Sequence, residues 1–274
     1  MTYEFLSDTS PEGMRRAIEQ NLWGSWLALC TSPRAELTDS EAMIRFATGL
    51  PMPPFNAVMR TRLENGTVDR AIEQTAAYFA AKKLPWTWYV EEKATPGDLP
   101  ERLTAAGLAE ETPEPCMAID MTLLPDSPGG PEGLAIEKVA GSELGGEYNE
   151  VLSAGFGLPL EIARALADII RGAATGENVT VSGYLGRLQG IAVATSMLVA
   201  AGGVAGIHNV TTLTEYRGRG IGAALTVAPL IEAREMGYRI GTLQSSVMGY
   251  GVYQKLGFRE YCRLRQFVWV GTNA

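Results

Sequence analysis

The alternation of apolar and polar positions predicts helices and strands along the whole chain. In the second half, apolar residues with helical spacing mark three segments, and period-two alternation marks five others. The helices are expected at 143–153, 160–170 and 221–236, and the strands at 134–139, 178–185, 190–199, 207–214 and 238–244. A hairpin turn is predicted around Gly186-Arg187, and a short helix near 249–257 precedes a last strand. This order of elements indicates an α/β protein.

The first half has a similar pattern with weaker periodicity. Helices are predicted over 11–20 and 69–84, and strands over 56–63 and 86–90. The segment Thr38-Asp39-Ser40-Glu41 has the form of a capping box, which predicts the start of another helix.

A linker is predicted between the halves. Residues 126–133 contain two prolines and three glycines and have no apolar periodicity. The chain of 274 residues is long enough for two domains of ordinary size. We therefore expect a smaller or accessory α/β domain at 1–125 and a second domain at 134–274.

The two halves also share a faint internal repeat at an offset of 150 residues. The segment 103–110 aligns with 253–260, so that Gly107 matches Gly257, and 117–120 aligns with 267–270. Chance is an alternative explanation, because a helix followed by glycine and a strand is a common pattern. If the repeat is real, the first half is a degenerate copy.

Composition limits the classes of function. A hydrophobic fraction of 46% with 20% charged residues is typical of a globular protein, and no apolar run approaches the length of a membrane span. The net charge of −8 argues against nucleic acid and anionic membranes as partners and weakly favours a cationic substrate. The widely spaced cysteines, Cys30, Cys116 and Cys262, predict reduced thiols in a cytoplasmic protein and no metal site.

The most informative segment is Arg217-Gly218-Arg219-Gly220-Ile221-Gly222-Ala223, which runs directly into an apolar helix. Glycines at the start of a helix leave backbone N–H groups pointing at one place, where the helix dipole favours an anion. Arginine guanidinium groups suit phosphate oxygens. The segment therefore predicts a pyrophosphate-binding loop. The alternative is a glycine-rich turn that only caps the helix.

Two nucleotide-binding motifs fit this loop poorly. A dinucleotide fingerprint needs a buried strand before the glycines and an acidic residue about 20 positions later. Here the preceding residues, 212–216, are largely polar, and the strand after the helix runs into Gln244-Ser245-Ser246 without a carboxylate. A P-loop would need Lys-Ser or Lys-Thr after the glycines. An NAD-dependent enzyme is therefore disfavoured.

Arg217-x-x-Gly220-x-Gly222 resembles the pyrophosphate loop of the GNAT (GCN5-related N-acetyltransferase) superfamily. About 35 residues later, Tyr253-Gln254-Lys255-Leu256-Gly257-Phe258 is similar to the closing Tyr-x-x-x-Gly-Phe signature of that family. The resemblance covers about 134–270. It implies a mixed parallel and antiparallel sheet with helices on both faces, and acetyl-CoA as co-substrate without a metal.

The resemblance also implies site residues. The loop residues would bind the pyrophosphate of CoA: Arg217, Gly218, Arg219, Gly220, Ile221, Gly222 and Ala223. The strand edge at Val210, Thr211 and Thr212 would pair with the pantetheine amides like an added strand. Ser246 lies where many family members have an asparagine that contacts the pantetheine. Tyr253 falls at the catalytic tyrosine that protonates the leaving thiolate; its alternative role is packing.

The general base is the least determined part. His208, the only histidine, lies on the predicted CoA-binding strand and has a suitable ordinary pKa, although a lone histidine on a strand is often structural. Glu161, at a helix start, is a second candidate, and it is also typical of a solvated first-turn charge. No cysteine neighbours the loop, which favours direct transfer to a small-molecule or peptide amine in a ternary complex. A homodimer is possible, and a non-catalytic acyl-CoA sensor is the alternative function.

Overall fold

The computed structural model describes residues 4–173, 179–269 and 271. The helices are α1 (Pro11–Leu29), α2 (Val68–Lys82), α3 (Leu99–Ala105), α4 (Gly146–Phe156), α5 (Leu160–Ala173), α6 (Ile221–Glu235) and α7 (Tyr250–Lys255). The strands are β1 (Glu36–Asp39), β2 (Ile44–Ala47), β3 (Asn56–Met59), β4 (Trp86–Val90), β5 (Ala109–Glu110), β6 (Glu114–Asp120), β7 (Leu134–Ala140), β8 (Thr180–Leu188), β9 (Ile191–Ala201), β10 (Val204–Thr212), β11 (Ile240–Gln244) and β12 (Arg259–Trp269). Asn178 and Val270, both assigned to strands from the sequence, lie outside the described residues.

The chain forms two compact units that are discontinuous in sequence. One consists of Met1–Ser32 and Pro115–Tyr261, and the other of Pro33–Glu114 and Cys262–Ala274. These units differ from the division predicted around 126–133, because α1 and β6 pack with the second half and the end of β12 packs with the first. The linker at 126–133 and the domains at 1–125 and 134–274 stay predictions.

The first unit is built on a mixed sheet with strand order β6-β11-β10-β9-β8-β7. Among its described residues, β10 and β11 form the parallel pair, and the other pairs in this order are antiparallel. Helix α6 supplies Leu225, Val227 and Leu230 to the main apolar core on one face. Helices α1 and α4 contact strands β9 and β10. The mixed sheet predicted from the sequence is therefore confirmed.

Helix α1 has a clear local origin. Ser10 caps it by accepting a hydrogen bond from the Gly13 N–H, and Pro11 occupies its first turn. Its buried positions follow helical spacing: Gly13, Met14, Ala17, Ile18, Asn21, Leu22, Ser25 and Ala28. The helix therefore runs on to Leu29, nine residues beyond the predicted end at 20, because the buried face continues.

The second unit has strand order β1-β2-β3-β4-β12, with β5 also paired to β12. Its core is aromatic, with Trp86 stacked on Phe79 of α2 and Trp88 fully buried beside it. Within this unit, β3 and β4 are the parallel pair. The order β3-α2-β4-α3-β5-β6 thus resembles the order β10-α6-β11-α7-β12, with the short β5 as an additional strand.

The internal repeat predicted from the sequence has matching backbone geometry. Gly107 and Gly257 follow α3 and α7 with φ values of +91° and +98°. The N–H of Leu108 donates to Leu103 O, and 150 residues later Phe258 N–H donates to Tyr253 O. The last strands are exchanged between the halves: Met117 of β6 pairs with Leu243 of β11, whereas Phe267 of β12 pairs with Trp88 of β4.

Two local predictions are wrong. The segment 38–41 does not open a helix; β1 ends at Asp39, and the Ser40 side chain closes a turn by accepting from Met43 N–H and donating to Met43 O. Serine and aspartate suit turns as well as caps, and the buried β2 decides between them. The hairpin turns at Gln189-Gly190, not at Gly186-Arg187, where the register shift lies inside the β8–β9 ladder.

Candidate active site

An open slot lies between β10 and β11. These parallel strands pair only at Ala205 with Gly241 and at Gly206 with Thr242. Strand β10 continues for six further residues to Thr212, and its other edge remains paired with β9. Along 207–212, the described residues therefore leave one edge of β10 without a strand partner. Such an edge can accept an extended ligand that carries amide groups.

A β-bulge shapes the beginning of this slot. His208 faces Met197 on β9 and Thr211 faces Thr195, so two residues of β10 are left against one of β9. Asn209, in the bulge, has a φ of +53°, and its carbonyl accepts a hydrogen bond from Thr195 Oγ1 at 3.0 Å. Because Met197 and Thr195 are two positions apart, His208 and Thr211 lie on the same face of the sheet.

The glycine-rich loop ends at an uncovered helix N-terminus. Gly218 and Gly220 have φ values of +75° and +80°, and no atom lies within 4 Å of where a Cβ would be at either position. No side chain caps α6, and its first turn contains no acidic residue. Its first intrahelical hydrogen bond is Ala224 N–H to Gly220 O, so the N–H groups of 221–223 have no acceptor in the helix. The arrangement suits an anion.

The two arginines of the loop brace it. Arg217 Nε donates to Thr212 O at 3.0 Å and its Nη2 to Gly155 O at 3.4 Å, which ties the loop to β10 and to α4. Arg219 Nη2 donates to Glu215 O at 3.2 Å, and its guanidinium lies 5.4 Å from the Tyr216 ring centre. Both side chains are exposed and have further N–H groups that could bind phosphate. Their direct contact with phosphate stays a prediction.

The strand residues named from the sequence take different positions. Val210 packs against the apolar core, whereas Thr211 is buried against α4. A Cβ at Gly155 of α4 would lie only 2.3 Å from Thr211 Oγ1, so a glycine is needed there. Thr212 lies beside Gly222, where a Cβ would be 3.6 Å from its Oγ1. Thr212 thus links the strand edge to the first turn of α6.

Tyr253 lies beside the first turns of α6, where it contacts Thr226. Its ring belongs to the core and packs edge-on against Phe258, with centroids 6.0 Å apart. Burial raises the pKa of Tyr253 to about 12, and a hydrogen bond with Thr226 partly offsets that rise. Thr226 in turn donates to Gly222 O at 2.8 Å. The phenol is therefore neutral at physiological pH and is connected through Thr226 to the loop.

Ser246 lies in the turn between β11 and the last helix. Its Oγ accepts a hydrogen bond from Gly249 N–H at 3.1 Å at the entrance of α7, and the side chain is exposed. Val247 and Met248, directly after it, are strongly exposed apolar side chains, 89% and 68% accessible. This turn continues directly from the end of β11, which forms one wall of the slot. The contact of Ser246 with a pantetheine arm stays a prediction.

His208 lies on the other face of the sheet from Tyr253. Its neighbour Ile207 belongs to the core that contains Tyr253, so strand alternation turns His208 towards α1. His208 Nε2 is 3.4 Å from Ser25 Oγ of α1. Burial lowers the pKa of His208 to about 4, so the ring is neutral at physiological pH. The other base candidate, Glu161, is an exposed first-turn residue of α5.

Several residues of this site are not predicted from the sequence alone. Examples are Asn209 of the bulge, Thr226 beside Tyr253, and Asn21 and Ser25 on α1. The last two carry a signal: they are polar residues four positions apart on an otherwise apolar helix face. A buried polar pair on such a face generally has hydrogen-bond partners.

The corresponding place in the second unit is closed. Strands β3 and β4 pair in parallel at Ala57 with Thr87 and at Val58 with Trp88. Beyond them, Thr95 N–H donates to Thr61 O at 3.1 Å and Leu63 N–H donates to Thr95 O at 3.0 Å. The backbone at Thr95 thus pairs with the chain after β3, at the place that corresponds to the open edge of β10 in the first unit.

The start of α2 also differs from that of α6. Its N-cap is Thr67 in place of a left-handed glycine, and the acidic Asp69 lies in its first turn. Asp69 forms an ion pair with Arg102 at 3.0 Å. A carboxylate at this position disfavours an anionic ligand.

Solved structures with a similar fold include GNAT proteins. A GCN5-related N-acetyltransferase from Kribbella flavida has a TM-score of 0.68 at 20% identity, over 94% of this chain and 96% of that one. A tandem GNAT protein from the clavulanic acid biosynthesis pathway has a TM-score of 0.61 at 16% identity, again over 94% and 96%. A GCN5-related N-acetyltransferase from Sphaerobacter thermophilus has a TM-score of 0.60 at 15% identity, over 88% and 77%.

These likenesses extend over nearly the whole chain, so both halves have a GNAT-like fold and the two-part description is confirmed. No protein-family model matches the sequence, and no curated protein matches it. Over the described ranges, no helix has the length and apolar character of a membrane span. The same ranges hold no group of three or more His, Cys, Asp or Glu side chains placed to bind a metal ion.

Proposed function

We propose that this protein transfers an acetyl group from acetyl-CoA to an amine, at one site per chain. One observation carries the proposal: the open edge of β10 leads directly to the uncovered N-terminus of α6. Acetyl-CoA has amides along its pantetheine arm and a pyrophosphate beyond them, which match an unpaired strand edge followed by free N–H groups. The GNAT-like fold, shared with proteins named N-acetyltransferases, supports the same reaction.

Different segments of the chain would bind different parts of acetyl-CoA. Val210 to Thr212 would pair through their backbone with the pantetheine amides, and the N–H groups of 218–223 would bind the pyrophosphate. The braces from Arg217 to Thr212 O and Gly155 O hold the loop in place before any ligand arrives. A loop that is already ordered loses little entropy on binding.

The chemistry requires one net proton transfer. The amine nitrogen forms a bond to the acyl carbon, the carbon–sulfur bond breaks, and a proton lost by nitrogen is balanced by one gained by sulfur. His208 would accept the proton from nitrogen; burial lowers its pKa to about 4, which keeps the ring neutral at physiological pH and makes it a weaker base than an ordinary imidazole. Tyr253, a neutral phenol, would donate one to the thiolate.

His208 and Tyr253 would act from opposite faces of the sheet, through the gap where β10 and β11 separate. Among the cysteines, Cys30 and Cys116 are buried and Cys262 lies on β12. Burial raises the pKa of Cys30 to about 12, which leaves its thiol protonated. Direct transfer within a ternary complex is therefore preferred to a covalent acyl-enzyme.

Calorimetry with acetyl-CoA, followed by thiol release over a panel of amines, tests the proposal. We expect binding at one site per chain and acceptor-dependent release of CoA. Tight binding without release for any amine would favour the alternative, an acyl-CoA sensor. Binding of NAD without binding of acetyl-CoA would refute both functions.

A further inference from the structure

The single histidine of the chain is held by the N-terminal helix. His208 lies two residues beyond the last β10–β11 pair, where the slot begins. Its Nε2 is 3.4 Å from Ser25 Oγ on α1. Among the described residues, no other side chain or backbone group is hydrogen-bonded to the ring, so Nδ1 is left without a protein partner.

The hydrogen bonds behind Ser25 fix the direction of this contact. Asn21, 1% exposed, donates from Nδ2 to Val199 O at 3.0 Å and to Val204 O at 3.1 Å. Carbonyl oxygens only accept, so the amide nitrogen of Asn21 must face them and its Oδ1 must face Ser25. Gly206 permits this position, because a Cβ there would lie 1.9 Å from Asn21 Oδ1.

The Ser25 hydroxyl has one proton. It lies 3.5 Å from Asn21 Oδ1, which can only accept, and that proton is therefore donated to Asn21. Because its proton is used in that bond, Ser25 Oγ can only accept a hydrogen bond from His208. A neutral imidazole carries one N–H proton. If Ser25 Oγ accepts a hydrogen bond from Nε2, that proton is on Nε2.

We propose that Asn21 and Ser25 hold His208 in its Nε2–H tautomer, so that Nδ1 presents the lone pair that accepts the proton of the acceptor amine. Ser25 is then a positioning residue supplied by a helix from the first half of the chain. The tautomer follows from the hydrogen bonds alone, whereas the use of Nδ1 in catalysis rests on the proposed function. The low pKa of His208, caused by burial, keeps the ring in the neutral state for which a tautomer is defined.

Nitrogen-15 NMR of the untagged, uniformly labelled protein tests the tautomer directly. Since the chain has one histidine, one imidazole pattern is observed, and long-range proton–nitrogen correlations distinguish the two tautomers without further assignment. We expect a pure Nε2–H pattern at neutral pH for the wild type. An Nδ1–H pattern in the wild type overturns the proposal whatever the variants do.

The variant Ser25→Ala removes the hydroxyl, and Ser25→Thr retains it. We expect Ser25→Ala to give a mixture of tautomers and at least a tenfold loss of kcat, with KM for acetyl-CoA changed less than twofold. We expect Ser25→Thr to restore the Nε2–H pattern and most of kcat. An unchanged tautomer in folded Ser25→Ala refutes the positioning role.

The NMR and kinetic results distinguish the tautomer of His208 from the use of Nδ1 in catalysis. A tautomer shift in Ser25→Ala with unchanged kcat supports the hydrogen-bond assignment and refutes Nδ1 as the proton acceptor. If the wild type releases no CoA with any amine, the proposed function fails while the tautomer measurement still decides the structural inference.

Discussion

Gly220 offers the sharpest test of the anion site, because its neutral and charged replacements have the same shape. Its φ of +80° is left-handed, and no atom lies within 4 Å of a Cβ built there. Asparagine and aspartate are the non-glycine residues that best tolerate this conformation. Gly220→Asn and Gly220→Asp should therefore both fold, each with a loss of stability of about 1 kcal/mol.

The two variants differ by one charge at the entrance of α6. With about 6 Å between the new carboxylate and each phosphate, and an effective dielectric near 50 for this exposed loop, each pair costs about 1 kcal/mol. Two phosphates give about 2 kcal/mol, which is roughly a thirtyfold difference in Kd for acetyl-CoA between Gly220→Asp and Gly220→Asn.

Calorimetry at low and moderate salt measures this difference. The gap between the variants should shrink as ionic strength rises, because exposed charges are screened. Thermal unfolding of both variants serves as the folding control. Equal affinities in two folded variants at low salt would show that the pyrophosphate does not bind at this helix start.

Three further outcomes are expected. Tyr253→Phe should lower turnover by at least a hundredfold while changing Kd for acetyl-CoA less than twofold, because the ring packing is retained; wild-type turnover in initial-rate assays would reduce Tyr253 to a packing role. His208 has a pKa of about 4 when folded and about 6.5 when unfolded, so the unfolded chain binds the proton first. Urea titrations should show that wild-type stability falls by about 3 kcal/mol as the pH drops from 6.5 to 4, beyond the change seen in His208→Gln; parallel pH curves would contradict the low pKa. Calorimetry should give one acetyl-CoA per chain, since the backbone at Thr95 fills the second slot; a stoichiometry of two would contradict this closure.

Much of the candidate site is visible in the sequence because its chemistry is local. Glycines followed at once by an apolar helical run define a helix start with free N–H groups, and the structure has Gly220 at the N-cap of α6. The match of Gly107 with Gly257 is local in the same way, since both end a short helix with a left-handed residue. Local backbone preferences act over a few residues and can be read without knowing the fold.

Other features depend on which strands become neighbours. The capping-box pattern at 38–41 ends β1 and begins a turn because the buried residues of β2 require a strand partner. The slot exists because β10 and β11 pair over two positions and then separate, and no residue in either strand encodes that distance. Pairing between segments far apart in sequence is decided by packing of the whole sheet.

The sequence by itself determined the glycine loop and the helix it opens, and it indicated the relation between the two halves as a faint repeat. The tertiary structure alone decided that β6 completes the sheet of the second half, that Thr95 closes the slot of the first half, and that α1 brings Ser25 to His208 from 183 positions away in the chain. The physical reason is the range of the interactions. Turns and caps are fixed by neighbouring residues, whereas a slot and a hydrogen-bonded histidine need groups that only the folded chain brings together.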